Sequence, residues 1–89
     1  MDQNNNMILR AVNGKNGLDF YLRTSSGQEH YLVTFKPNGL LWQKLRSGVT
    51  LGELRRLKPR SARTEQKYFN STRHLLKVAD SFIEYDLAG

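Results

Sequence analysis

The groups best suited to chemistry in this chain are its cations. Arg55, Arg56, Lys58, Arg60, Arg63 and Lys67 put six positive charges into thirteen residues, with Glu65 the one acid among them. Such a run attracts phosphates and releases counterions when it binds them. Arginine suits the task because its planar fork bonds two oxygens at once. The excess is local. Residues 1–35 carry three basic and three acidic groups, residues 36–67 carry nine basic groups against Glu53 and Glu65, and residues 68–89 carry two against three. The formal charge of +6 therefore comes from the middle third. DNA or RNA is the expected partner. The competing reading of such a run is a solvated face that keeps a small protein soluble.

A second candidate is a sheet face. Strand-like alternation places Tyr21, Arg23, His30 and Leu32 together, with Arg10 beside Tyr21. Aromatic rings between cations stack single-stranded bases. The same face, through Ile8, Val12 and Leu32, would equally serve contact with a second copy or another protein. Catalysis finds little to work with. There is no Cys, and His30 and His74 fall on different elements without a carboxylate or Ser partner nearby in sequence. Asp80 and Glu84, at i and i+4, offer two ligands, too few for a tight cation site. The glycine-rich stretch Asn13–Gly17 lacks the lysine and following helix of a phosphate loop. The expectation is a protein without enzymatic activity, metal or cofactor.

These groups must be positioned by a small fold. Eighty-nine residues make one domain, and without Cys its apolar core must suffice. No apolar run is longer than three residues, as in Leu40-Leu41-Trp42, far short of the ~20 residues of a membrane span. The polar N-terminus lacks the order of a signal peptide, which implies a soluble, cytoplasmic protein. Residues 1–6 read as a disordered lead-in to a single domain over 7–89.

The fold class expected is α+β. Three strands, 7–12, 18–24 and 29–35, form an antiparallel meander. Two short helices, 40–47 and 51–57, and one long C-terminal helix, 64–85, follow. The Asn-Gly pairs at 13–14 and 16–17 mark the first hairpin turn. Counting from Gly14–Gly17 places Met7, Leu9 and Ala11 inward. A four-residue loop over Ser25-Ser26-Gly27-Gln28 would set Leu18 opposite Phe35, Phe20 opposite Val33 and Leu22 opposite Tyr31.

Gly48 reads as the left-handed cap of the first helix. Thr50-Leu51-Gly52-Glu53 reads as a capping box opening the second, with Leu51, Leu54 and Leu57 on one face. In the long helix, Tyr68, Phe69, Thr72, Leu75, Leu76, Ala79, Phe82 and Ile83 share one stripe, which makes it the element on which the rest packs. Phe82, Ile83 and Leu87 are the residues most open to a dimer seam.

Residues 40–58, with Gly48-Val49-Thr50 as the turn, resemble a helix-turn-helix. That resemblance implies DNA in the major groove against the second helix. The chain departs from the motif at Lys44 and Ser47, where it wants small or apolar residues. The strings Phe20-Tyr21-Leu22-x-Thr24-x-x-Gly27, Tyr31-Leu32 and Phe82-Ile83-Glu84-Tyr85 resemble short bacterial proteins of phage and conjugative-element type. This second resemblance implies a setting and no activity. The sequence thus points to a basic accessory module that contacts nucleic acid through phosphates, or to a protein-interaction or homo-oligomerisation module that uses apolar surface of the sheet or long helix.

Overall fold

The computed structural model describes residues 3–37, 45–56 and 66–87. Its centre is an antiparallel sheet of four strands, in the order β3-β2-β1-β4: β1 is Ile8–Gly14, β2 Gly17–Arg23, β3 Glu29–Phe35 and β4 Val49–Thr50. The expected meander is present, with one strand more than its pattern showed. β4 escapes a sequence reading because it is two residues long. It exists because an N-cap residue is extended (Thr50 has φ −73° and ψ 153°), which lets it pair with Ile8. The Leu51 N–H then bonds Met7 O at 2.9 Å and fixes the start of the next helix on β1.

Helix α1, Leu51–Arg55, follows at once. The Thr50 hydroxyl accepts the Glu53 N–H at 3.1 Å, which is one half of the expected capping box. The helix is shorter than 51–57, with Arg56 as its C-cap; residue 57 lies outside the described residues. Of the helix expected at 40–47, Leu45 and Arg46 are helical and 40–44 lie outside the description. Gly48 has φ +91°, as a left-handed cap requires, and its N–H bonds Leu45 O.

Helix α2 runs Gln66–Phe82 and gives way to a π-helical turn at Ile83–Leu87, so the regular helix ends before 85. Phe82 and Ile83 still pack on the core, whereas Tyr85 and Leu87 are exposed. Past Ile83 there is little tertiary packing to hold a regular ladder. The stretch read as a disordered lead-in contains a 3-10 turn, Gln3–Asn6, lying on α1. Gly52 allows that approach, since a Cβ there would sit 3.2 Å from Asn5 O.

The core gathers the inner face of the sheet and one face of each helix. Leu9, Ala11, Leu18, Phe20 and Leu22 meet Leu45, Leu51, Leu54, Leu75 and Ala79, all buried. Phe20 stacks on Phe35 with ring centroids 4.8 Å apart. Fully burying a leucine is worth about 2 kcal/mol, so these ten side chains supply much of what a chain without disulfides has available. Thr72, small and 3 % exposed, lies on the stripe as expected. Among the described residues, no helix is long and apolar enough to cross a membrane.

The β1–β2 register is as expected, with Arg10 opposite Tyr21 and Gly14 closing on Gly17. The β2–β3 register is half as expected. Leu18 faces Phe35 and Phe20 faces Val33, but beyond Phe20 the pairing slips by one, so Tyr21 faces Tyr31, Leu22 faces His30 and Arg23 faces Glu29. The turn explains the slip. Gly27, at φ +91°, donates its N–H to Thr24 O, and the Thr24 N–H bonds Gln28 O at 2.9 Å. The loop is therefore three residues long with a left-handed glycine at its end, and it draws Gln28 into the pairing. Leu32 absorbs the difference as a β-bulge.

Candidate nucleic-acid interface

The basic run begins on α1, and its first arginine is committed within the molecule. The Arg55 guanidinium forks onto Asp80 of α2, Nη1 to Oδ2 at 3.0 Å and Nη2 to Oδ1 at 2.5 Å, while Nε donates to Asn5 Oδ1 at 3.0 Å. One side chain thus ties α1 to α2 and to the N-terminal 3-10 turn. Both partners stay roughly a third to a half exposed, so a pair of this kind is worth at most about 1 kcal/mol. Its geometry nonetheless occupies the edges of the guanidinium that a phosphate would use.

Arg56 is exposed and carries its charge at the helix end. Lys67 belongs to the first turn of α2; its side chain, together with Lys58, Arg60 and Arg63, lies outside the described residues. Of the turn Gly48–Thr50, which the helix-turn-helix resemblance places between two helices, Val49 and Thr50 pair with Leu9 and Ile8 of β1. Leu51, Gly52 and Leu54 of the helix that follows are buried.

The outer face of the sheet is the second surface, and the bulge decides what stands on it. Leu9 and Ala11 of β1 and Leu18, Phe20 and Leu22 of β2 point into the core, so their neighbours point out. Three cross-strand rows result: Val12–Asp19–Thr34, Arg10–Tyr21–Tyr31 and Ile8–Arg23–Glu29. His30 and Leu32, expected on this face, are instead turned toward the core. The His30 ring lies 5.1 Å from that of Phe82, with Nε2 buried and, among the described residues, without a hydrogen-bond partner, and Leu32 packs against the buried cluster. Tyr31, expected inside, is 54 % exposed. The sequence signal that would have found it is Gly27, whose left-handed conformation shortens the loop.

The groups on this face hold one another in place. Arg10 donates to Glu29 through Nε at 2.6 Å and Nη2 at 3.0 Å, and Arg23 Nη2 reaches the same carboxylate at 3.3 Å. The Arg10 hydrogen bond is the main reason the Glu29 carboxyl sits below its ordinary pKa; partial desolvation opposes it, and the charges of Arg10 and Arg23 add to it. The Arg10 guanidinium is raised in turn by its bond to Glu29. Tyr21 and Tyr31 meet edge to face, with ring centroids 5.9 Å apart. The Tyr31 hydroxyl lies 2.7 Å from Thr34 Oγ1, which donates to Asp19 Oδ1 at 2.6 Å, so the ring is anchored at its far end.

His74 is exposed on α2 and stands edge-on to Phe35 at 5.1 Å, a packing contact. Among the described residues, no group of three or more His, Asp or Glu could hold a metal ion. Comparison with protein-family models, with curated proteins and with solved structures returned no match.

Proposed function

We propose that the protein is a small, cytoplasmic, non-enzymatic binding module whose ligand is nucleic acid, held mainly through phosphates. The observation that carries this reading is the charge of the middle third, nine basic groups against two acidic ones in residues 36–67. Arg56, Lys58, Arg60, Arg63 and Lys67 are the groups assigned to the phosphates. Arg55 is assigned to holding the fold, because Asp80 and Asn5 take up its fork.

The test is a filter-binding titration of labelled DNA and RNA against salt. Binding at low salt should weaken as salt rises, with a slope of about −0.9 per phosphate contacted on duplex DNA and about −0.7 on single strands. Reversing Arg56, Arg60 and Arg63 to Glu should abolish binding while circular dichroism stays unchanged. Arg55 is left intact in that variant, since Arg55→Glu would set two carboxylates against each other at Asp80.

A second reading rests on a different observation. Tyr85 is 72 % exposed and Leu87 37 % at the π-helical end of the molecule, beside the half-buried Phe82 and Ile83. Exposed apolar groups of this kind favour a protein partner or a second copy. No binding of any nucleic acid at low salt, together with a dimer on sizing, would decide for it.

A further inference from the structure

We propose that the outer face of the sheet is a stacking platform for the bases of single-stranded nucleic acid, centred on Tyr21 and Tyr31. The proposal rests on the reading of the protein as a nucleic-acid binder, and it names the form of the ligand. Three observations converge on it. First, the helices pack on the opposite side, through Leu51, Leu54, Leu75 and Ala79, which leaves the row Arg10–Tyr21–Tyr31 facing outward. Second, a bulge is what puts Tyr31 there. An unbroken register would have buried this ring beside Leu22, and bulges recur where a side chain is re-aimed for a purpose.

Third, the ring is held rather than loose. Thr34 and Asp19 fix its hydroxyl while half of its surface remains open, so little side-chain entropy is lost when a base lies on it.

The charges around the rings suit a polyanion. Arg10 stands at the β1 end of the tyrosine row, and Arg23 in the next row toward the β2–β3 turn. At the opposite end of the strands, Lys15 occupies the β1–β2 turn, and Lys36 follows β3 beside Gly17. Four cations thus border the face, against the carboxylates of Asp19 and Glu29. Glu29 restrains the two arginine forks at 2.6 to 3.3 Å. A second copy of the chain suits this face less well. It would have to desolvate those same charged groups, and two bodies of net charge +6 repel each other. Duplex DNA is excluded by chemistry, since its bases are already stacked and offer the tyrosines no free π-face.

The test compares a labelled ten-nucleotide single strand with the same sequence as a duplex, by fluorescence anisotropy at low salt. The wild type should prefer the single strand. Tyr31→Ala should weaken single-strand binding about tenfold, in keeping with the loss of one stacked base, and leave duplex binding unchanged. Tyr31→Phe, which keeps the ring, should retain most of the affinity. Single-strand binding that is unchanged by both Tyr31→Ala and Tyr21→Ala would overturn the platform while leaving the phosphate reading in place. Failure of the wild type to bind either form would overturn both. A wild-type dimer that Tyr31→Ala splits would assign the face to self-association and overturn the platform as well.

Discussion

The two hairpins of this sheet share β2 and differ by a single residue. In the first, Gly14 and Gly17 close on each other, and seven consecutive pairs run from Gly14–Gly17 to Ile8–Arg23 without interruption. In the second, the core fixes one end and the turn fixes the other, and the two registers disagree by one. Phe35 over Leu18 and Val33 over Phe20 satisfy the apolar core, whereas the three-residue loop ending at Gly27 satisfies the turn. Leu32 takes up the conflict as a bulge, and everything between it and the turn changes face. Register is thus a compromise between local turn chemistry and distant packing, and where the two disagree the outward surface is rewritten.

The first hairpin gives the larger expected effect. Gly17 has φ +134°, and a Cβ there would stand 2.8 Å from Phe35 O, a backbone atom. Gly17→Ala therefore combines a backbone conformation foreign to alanine with a clash that only movement of β3 relieves. It should destabilise by about 3 kcal/mol, read as a lower urea midpoint. In the second hairpin, Gly27 has φ +91° but nothing lies within 4 Å of its absent Cβ. Gly27→Ala should cost only the left-handed conformation, about 1 kcal/mol. Equal costs at the two glycines would mean that crowding at the Gly17 site is relieved at no expense, and that the two turns are alike after all.

The smallest effect concerns what the bulge brought out. The folded-state pKa of Glu29 is depressed, so its pairing with Arg10 and Arg23 adds stability at neutral pH. That contribution is complete above the ordinary glutamate value of about 4.3 and fades as pH falls through the lower folded value. Urea midpoints of the wild type and Glu29→Gln should differ slightly at pH 7 and converge in acid. A difference that grows in acid would contradict the geometry of the Arg10–Glu29 pair.

Much of the architecture was legible in the residues. The alternation in β2, the stripe Thr72–Leu75–Ala79 and the Thr50 cap all report local periodicity or local hydrogen bonding, and all stand where the pattern put them. β4 was not legible, because two residues carry no period. Neither was the partner of the first arginine of the basic run. The arginine that opens the basic run is joined to Asp80, twenty-five residues away, a partnership that no local pattern encodes.

The sequence by itself determined the class of fold, the inward residues of β1 and β2, and the concentration of positive charge in the middle third. Each of these follows from neighbours along the chain, where period and composition act directly. Only the tertiary structure decided that Tyr31 faces outward and His30 inward, and that Arg55 holds three elements together. Those outcomes depend on a turn and a core pulling on the same strand from opposite ends, and on α1 and α2 meeting in space.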